Sequence, residues 1–555
     1  MEKCRKSGVA AFIGLSVALL FGITACTKKG EDAVQSKRGE IALVCKEKTI
    51  EVSSGNGVTV DKGTATINKP GTYRISGTLA DGQIIVNSEA KGDVNLILDG
   101  ADITCSDSSP IYVMQASHTI IELEVGTENV LTDGSDYVVN SEDEPAACIF
   151  SKDDLTVKGD GSLSVTGNYR GGIHGKDNVV LCADNITVEA KEDGITGKDG
   201  LTVTGGKLTI NAGEKGMVSS GMLAADDVTC HVTAGNDTIH SNGEVVVNSG
   251  TYTLSSGDDG IHADNSLTIT GGNIAITKCE EGLEAAQITI TDGDIDLVAD
   301  DDGINATSSS DDEDSDNVFE ADEDCSICIT GGNIHVNAGG DGMDSNGSID
   351  ITGGMITVSG SSLGDNGALD YNGELTVTGG TLIAAGRRNM AQSVSDSSSQ
   401  YAIAMVFTAA QKSGAVISLQ GEEKNEIISF TAEKDIDHIV FSTPDLKEGG
   451  TYTICVDGEE IVSHTLSQVS TWLNEDGETQ ATMGHGFGGH GGPGGGMPDK
   501  KRDFGEPDAK IPEGDRDDDI RDRGVPGKDK ENMTPPEGKD AEMPQGDKPD
   551  KEFRY

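Results

Sequence analysis

The chain has 555 residues, of which 75 are glycine and only 4% are aromatic. Its formal net charge of −54 excludes a nucleic-acid partner, because phosphate groups would be repelled by such an acidic chain. Abundant glycine and few aromatic side chains also argue against a compact helical enzyme, and they fit a stack of repeats in which each repeat buries only a few aliphatic side chains.

The first 26 residues have the pattern of an export signal. Three basic residues among the first six precede a short apolar run at 9–23, and the segment ends in Ile23-Thr24-Ala25-Cys26. These last four residues resemble a bacterial lipobox, which implies that Cys26 carries lipid and anchors an extracytoplasmic protein to the cell membrane. An uncleaved signal anchor is the alternative. Residues 27–44 are expected to form a tether.

From Gly71 onward, apolar residues alternate with polar ones, as at Tyr73 and Ile75. Period two is typical of strands with one buried face. Between Gly172 and Gly367 the alternation becomes a repeat, in which each copy has three alternating segments separated by glycine or aspartate turns. An apolar lead residue recurs at a spacing of 22 five times and then of 21, at Ile173, Ile195, Met217, Ile239, Ile261, Leu283 and Ile304.

This repeat predicts the fold class. Three strands and three turns per copy make one coil of an all-β protein, a parallel β-helix with about 22 residues per coil, which we assign to residues 45–385. Consecutive coils would lie about 4.8 Å apart, the spacing of hydrogen-bonded strands. Side chains one period apart would therefore be neighbours on adjacent coils.

The same register aligns acidic residues on the outside. Carboxylates about 4.8 Å apart repel each other by roughly 0.9 kcal/mol per pair even in water. We therefore interpret the rows as a cation site, and oxygen-only ligands favour calcium. The alternative is that Asp-Gly is a common turn dipeptide. The predicted ligands in these rows are Asp193, Asp237, Asp258, Asp259, Asp301 and Asp302.

A second group of ligands follows an insertion. Between Ile304 and Met343 the spacing lengthens to 39, and residues 308–324 are almost all Ser, Asp or Glu, which predicts an exposed loop. Beyond it, oxygen-bearing side chains crowd two successive coil edges, and this set is our first choice for a calcium site. Its members are Asp341, Asp344, Asn346, Asp365, Asn366 and Asp370.

Basic and imidazole side chains interrupt the acidic rows. Lys215 lies between Asp193 and Asp237 in the repeat, and Arg170 belongs to an earlier coil. A lyase would use such a residue as the base beside a calcium-bound uronate. Flanking carboxylates would raise the pKa of this lysine, which does not suit a base unless calcium neutralises them. The alternative is that the positive charge of Lys215 relieves repulsion within the row. Three histidines, His174, His240 and His262, are expected to be exposed polar side chains rather than ligands.

The 22-residue period is lost after the last coil. Alternating runs between 401 and 464 predict a small antiparallel module within residues 386–480, which would cover the open end of the coils. Residues 481–555 are rich in Gly, then in Pro, Asp and Lys, and are predicted to be disordered.

Several stretches resemble the exported clostridial-type carbohydrate-binding domain-containing β-helix proteins, and the resemblance extends over residues 45–470. The stretches that carry it are 71–77, 81–82, 96–100, 126–134, 340–347 and 365–373. The resemblance implies a right-handed parallel β-helix similar to that of pectate lyases. It also implies calcium on the flank and binding of plant cell-wall polysaccharide such as cellulose or pectate.

We therefore expect a cell-surface lipoprotein that binds a polysaccharide, acidic and pectin-like or cellulosic, through a calcium-dependent face and without catalysis. Tyr371 is the predicted sugar-binding ring, since the coils offer few outward aromatic residues. Two alternatives remain open at this stage: a polysaccharide lyase that uses Lys215 or Arg170 with calcium, and a non-catalytic structural adhesin.

Overall fold

The computed structural model describes residues 39–53, 56–137, 144–308, 321–363 and 366–481. These ranges contain β-strands and one short 3-10 helix, Arg388–Met390. The strands form a parallel β-helix of about 13 coils, followed by a small antiparallel sheet, so the predicted fold class is confirmed. Nowhere in these ranges is there a helix long and apolar enough to cross a bilayer. The predicted signal segment 1–26 with Cys26, Asp365 and nearly all of the predicted tail lie outside the described residues.

Each coil contributes strands to three sheets, which we call the lead face, the second face and the third face. Strands of the lead face are Thr64–Ile67, Gln83–Asn87, Ile111–Gln115, Ala147–Ser151, Gly171–Gly175, Ile195–Gly197, Met217–Ser219, Ile239–Ser241, Ile304–Ala306, Met343–Ser345 and Leu369–Tyr371. Two strands, Ile261–Ile269 and Leu283–Ile290, continue from the lead face onto the second face.

Strands confined to the second face are Thr119–Leu123, Gly200–Thr204, Met222–Asp226, Glu244–Val247, Ser326–Ile329, Ser348–Ile351 and Leu375–Val377. Those of the third face are Glu128–Asp133, Lys207–Ala212, Val228–Ala234, Gly250–Ser255, Asn273–Lys278, Asp294–Ala299, Asn333–Ala338, Met355–Ser359 and Thr381–Gly386. Longer strands turn the corner between these two faces, namely Glu40–Glu47, Gly71–Leu79, Val94–Cys105, Leu155–Gly167 and Asn178–Ala190.

The lead residues stack in the predicted register. Ile239, for example, pairs with Met217 on one side and with Ile261 on the other, and all three side chains are fully buried. Ile304 pairs directly with Met343 across the 39-residue spacing, so the stack continues in register across the insertion. Residues 309–320 of the predicted loop lie outside the described residues. Each buried aliphatic side chain contributes roughly 1.5–3 kcal/mol through burial, and repetition of this ladder supplies the core.

The β-helix begins earlier than predicted. Residues 40–44, which the sequence assigns to the tether, lie in the strand Glu40–Glu47. Its residues pair in parallel with the strand Gly71–Leu79, and Leu43 and Cys45 are buried beneath them. At this end Thr49–Val52 pairs antiparallel with the first strand, and Val58–Asp61 forms a hairpin with Thr64–Ile67.

At the other end the chain reverses direction. Ile436–Ser442 pairs antiparallel with Thr381–Gly386 of the last coil and also with Ala402–Gln411. Ser470–Asn474 and Gly477–Glu478 extend this sheet. A separate four-stranded antiparallel sheet has the order Glu426–Thr431, Val416–Gln420, Thr451–Val456 and Glu459–Thr465. Ile436–Ser442 is thus the strand that pairs with the final coil and covers the edge of its third face, whereas the four-stranded sheet pairs only within itself.

Truncating a lead residue tests the buried ladder. Ile239→Ala leaves a cavity between two coils, so we expect it to lower the free energy of unfolding by about 2–5 kcal/mol. Thr253→Ala, on the exposed side of the third face, is the matched control and should change it by less than about 0.5 kcal/mol. Urea denaturation followed by circular dichroism measures both, and equal effects of the two substitutions would contradict the assigned core.

Candidate cation-binding site

The turn before each lead strand builds a row of stacked residues. The backbone N–H groups of Gly216, Thr238 and Gly260 donate to the carbonyls of Asp237, Asp259 and Glu281 on the next coil. We call this line the acidic row. Its members are Asp193, Lys215, Asp237, Asp259, Glu281, Asp302 and Asp341.

Part of each carboxylate is used to join the coils. Asp302 Oδ1 accepts a hydrogen bond from the backbone N–H of Asp341 at 2.6 Å, and Asp341 Oδ1 accepts one from Gly367 at 2.5 Å. Asp193 and Asp237 make longer bonds of the same kind, at 3.3 Å, to the next coil. A second line of acidic residues stacks beside the row, since the backbones of Asp258, Glu280 and Asp301 also hydrogen-bond in sequence. The acidic row therefore has a structural role besides any ligand it binds.

A parallel line runs along the outside of the lead face. It consists of the residues one position after each lead residue, which are direct neighbours on adjacent strands. We call this line the outer column. Within the coils that carry most charge its members are His240, His262, Glu284, Asn305, Asp344 and Asp370.

In the central coils, protein cations neutralise the row. Lys215 Nζ lies 2.6 Å from Asp237 Oδ2 and 2.9 Å from His240 Nδ1, and His240 Nδ1 lies 2.8 Å from the same carboxylate oxygen. Burial alone would raise the pKa of Asp237, but the hydrogen bonds from His240 and Lys215 outweigh it and lower that pKa to about 2. Lys215 therefore occupies a cation position within the row.

Arg170, the other candidate base, is also engaged. Its guanidinium Nε lies 3.7 Å from Glu192, and its Cζ lies 5.4 Å from the centre of the Tyr169 ring. The Tyr169 ring also stacks on Tyr137, with ring centres 4.2 Å apart. The structure thus places both candidate bases in ion pairs with neighbouring carboxylates.

The expectation that the histidines are exposed was wrong. His262 lies among three carboxylates, Asp259, Asp264 and Glu284, at 2.5–3.0 Å. Burial alone would lower the pKa of His262, but the hydrogen bonds that its ring donates to these carboxylates outweigh burial and raise it to about 11. His174 instead stacks on Phe150, and burial lowers its pKa to about 4.

The final coils hold carboxylates without a protein cation. We call Asp302, Asp341, Asp344 and Asp370 the terminal carboxylate cluster. Burial, reinforced by mutual repulsion, raises the pKa of Asp302 to about 6, of Asp341 to about 7 and of Asp344 to about 8. Burial also raises the pKa of Asp370, which accepts a hydrogen bond from Gln392. Among the residues that the structure describes, no lysine or arginine forms an ion pair with these four.

A buried hydrogen-bond acceptor without a donor adjoins this cluster. Asn305 lies between Glu284 and Asp344 in the outer column and is only 9% exposed. Its amide nitrogen donates to Glu281 Oε2 at 2.9 Å, whereas its buried Oδ1 has no hydrogen-bond partner. A buried amide oxygen beside carboxylates of raised pKa suits a hard cation, which would satisfy the oxygen and neutralise the charges.

Other predicted site residues have different surroundings. Asn346 donates to Thr307 Oγ1 at 3.1 Å and belongs to a polar ladder with Asn372 at the next corner. Asn366 is half-buried and precedes Gly367, whose N–H binds Asp341. The Tyr371 ring packs against the core, and its hydroxyl donates to the Ser393 carbonyl at 2.5 Å, which limits its use as a sugar platform.

Three members of this region were missed by the sequence reasoning: Asn305, Glu284 and Asp264. The first two follow a lead residue directly, and that position is outward on every coil, so the 22-residue register contained the signal. A histidine three residues after an aspartate, as at Asp237 and His240 and again at Asp259 and His262, is a second pattern that could have revealed the paired side chains.

Comparison with known proteins identifies the family of this chain. A family model described as "Carbohydrate-binding domain-containing protein" matches residues 61–222 and 214–367, which together are more than half of the chain. The chain belongs to this family. The resemblance inferred from the sequence motifs is therefore confirmed.

One relative with the same description comes from Acetivibrio thermocellus (strain ATCC 27405). This carbohydrate-binding domain-containing protein is 36% identical over 185 residues, 32% of this chain and 64% of the relative, so the match spans somewhat less than two thirds of that protein. A solved structure is described as a polysaccharide lyase-like protein from C. thermocellum, gadolinium derivative. It is 31% identical, and the match covers 42% of this chain and 93% of that chain with a TM-score of 0.36.

The ion pair of Lys215 can be tested by its pH dependence. Lys215→Met leaves the buried Asp237 carboxylate with one partner fewer, so we expect the free energy of unfolding to fall by about 1–3 kcal/mol at neutral pH. Because the folded-state pKa of Asp237 lies below its unfolded value, this stabilisation is present above about pH 4 and disappears as the pH falls towards 2.

Denaturant titrations at several pH values measure this effect. The double variant Lys215→Met/Asp237→Asn is the control and should recover most of the lost stability, since it removes the stranded charge. A Lys215→Met protein as stable as the wild type at neutral pH would show that the ion pair does not stabilise the row.

Proposed function

We propose that this member of the carbohydrate-binding domain-containing family is a non-catalytic cell-surface protein. In this proposal it binds polysaccharide through calcium held at the terminal carboxylate cluster. The family assignment supports carbohydrate as the partner. The cluster supports the metal, because these half-buried carboxylates lie on successive coils, raise one another's pKa values, and have no described lysine or arginine paired with them.

The chemistry of the cluster favours calcium. Its donors are carboxylate oxygens and the orphaned amide oxygen of Asn305, and calcium accepts six to eight such ligands in flexible geometry. Without a cation these carboxylates hold protons near neutral pH, as their raised pKa values indicate. A bound divalent ion would replace these protons and remove the repulsion between Asp341, Asp344 and Asp370.

An acidic polysaccharide is the partner that best fits a bridging ion. The chain has a formal charge of −54, so a polyuronate would be repelled unless a cation lies between the two. A calcium ion with four or five protein ligands keeps coordination positions for a uronate carboxylate. Neutral glycans need free aromatic faces instead, and Tyr169 and Tyr371 are both occupied by contacts within the protein.

The proposed location follows from the N-terminal segment. A lipid on Cys26 would attach the protein to the outer side of the cell membrane, where polysaccharide is accessible. Cys26→Ser should release the protein from the membrane fraction, which cell fractionation and immunoblotting would detect. A lyase is not proposed, because Lys215 and Arg170 are held in ion pairs; absence of ultraviolet-absorbing unsaturated uronides after incubation with pectate tests that exclusion.

Removing one cluster carboxylate should abolish calcium-dependent binding. We expect the wild type to sediment with insoluble polygalacturonate in calcium and to remain soluble in chelator. Asp344→Asn should lower the bound fraction in calcium at least about tenfold, because it removes a ligand and a charge from the cluster.

The matched control for this assay is Asp350→Asn. Asp350 belongs to the same coil but lies on the second face, where its carboxylate accepts a hydrogen bond from Thr376. Binding of this variant should equal that of the wild type. Polygalacturonate binding that survives both chelation and Asp344→Asn would refute the proposal, and calcium-independent binding to cellulose would favour a neutral glycan.

Calcium should also suppress the pH dependence of stability that these carboxylates cause. The folded-state pKa values of the cluster lie above those of the unfolded chain, so the folded protein binds more protons between about pH 4 and 8. In chelator, the melting temperature should therefore fall as the pH rises through this range. Saturating calcium should remove most of the decline, as measured by differential scanning fluorimetry, and a decline of equal slope in both conditions would contradict calcium binding at this cluster.

A further inference from the structure

A second group of ligands lies in the central coils, away from the terminal carboxylate cluster. His262 Nδ1 is 3.0 Å from Asp259 Oδ2 and 2.5 Å from Glu284 Oε2. The ligand atoms of the three side chains all lie within 4.8 Å of one another, and Asp259 is buried. One nitrogen and two carboxylate oxygens therefore converge on a common point. Asp259 belongs to the acidic row, and His262 and Glu284 are consecutive members of the outer column.

The other ring nitrogen of His262 already has a hydrogen-bond partner. Nε2 lies 3.0 Å from Asp264 Oδ1, and Asp264 is held in turn by the Asn242 amide, which donates to its Oδ2 at 3.2 Å. A carboxylate that accepts the N–H of one ring nitrogen directs the lone pair of the other nitrogen away from it, and this arrangement accompanies most metal-binding histidines. Here the remaining nitrogen is directed at Asp259 and Glu284.

Two carboxylates crowd around one ring nitrogen in this centre. A ring nitrogen has a single hydrogen or lone pair, yet Nδ1 of His262 contacts two carboxylate oxygens at once. In a tetrahedral site with bonds of about 2.0–2.2 Å, ligand atoms lie roughly 3.3–3.5 Å apart. The two contacts of His262 Nδ1, at 2.5 and 3.0 Å, need to lengthen by about 1 Å or less to reach that geometry, a shift that side-chain rotation provides.

We propose that Asp259, His262 and Glu284 bind a divalent transition ion of the zinc class, with Asp264 orienting the imidazole. The imidazole nitrogen distinguishes this centre from the oxygen-only cluster, since nitrogen ligands select zinc-class ions over calcium. Three protein ligands leave the fourth position to water. His262 and Asp344 are three coils apart in the outer column, about 14 Å at the strand spacing. The nearest ligands of the two sites, Glu284 and Asn305, are neighbours on adjacent strands. This inference goes beyond the proposed function and does not depend on it.

The experiment uses the full chain carrying His485→Gln and His490→Gln, which removes the two histidines of the glycine-rich stretch near 485–490 as competing ligands. Zinc is titrated into this protein by calorimetry in the presence of saturating calcium. We expect one site that calcium does not compete for, and a cobalt-loaded sample should show the visible absorption of a tetrahedral centre with one nitrogen ligand.

Variants separate metal binding from a simple ion pair. His262→Gln should abolish the site, and Asp264→Asn should weaken zinc affinity about 10–100-fold, since it removes only the orienting carboxylate. His240→Gln is the matched control, because His240 stacks on His262 with ring centres 4.8 Å apart but is not one of the three ligands. Zinc affinity of this control should be unchanged.

Two results would overturn the proposal. One is zinc affinity that is equal in the wild type, His262→Gln and Asp264→Asn. The other is a ¹⁵N spectrum in which the His262 ring keeps both protons when zinc is in excess, since this would show an imidazolium ion pair instead of a metal ligand. The spectrum is recorded on the parent protein, so the test stands even where a variant fails to fold.

Discussion

Parallel stacking of coils at a fixed separation is the constraint on which the rest of this structure depends. Because strands in a sheet lie about 4.8 Å apart, every side chain has a neighbour at that distance one period along the chain. The interior benefits from this rule, since Ile239 meets Met217 and Ile261 and all three are fully buried. On the exterior the same spacing holds carboxylates beside carboxylates, so that they repel each other.

The protein compensates this repulsion differently along its length. In the central coils Lys215 and His262 lie between the carboxylates, His240 contacts Asp237, and the pKa of Asp237 falls to about 2. Towards the last coils no such group pairs with Asp341 or Asp344 within the described ranges, and burial with repulsion raises their pKa values to about 7 and 8. The same row therefore contains a segment neutralised from within and a segment that favours an external cation.

Much of the fold followed from the sequence, because the lead residues repeat at a fixed spacing and one register determines every strand pairing. Ile304 and Met343 show that this register persists across the insertion, since they pair across a spacing of 39. Side-chain contacts were harder to predict. The distances between His262 and its neighbouring carboxylates depend on side-chain rotamers. The Asn305 Oδ1 lacks a hydrogen-bond partner because the side chain is oriented so that its nitrogen donates to Glu281. The early start at Glu40 was missed because the first strand lies outside the regular repeat.

The central proposal is that the register of the coils brings Asp302, Asp341, Asp344 and Asp370 close enough to bind one calcium ion. Diffraction from crystals grown with calcium tests it most directly, through the anomalous difference density of the bound ion. The account predicts a peak within bonding distance of these carboxylates and of Asn305 Oδ1. A map with no peak there at saturating calcium, or with calcium only at exposed carboxylates of the second or third face, would contradict it.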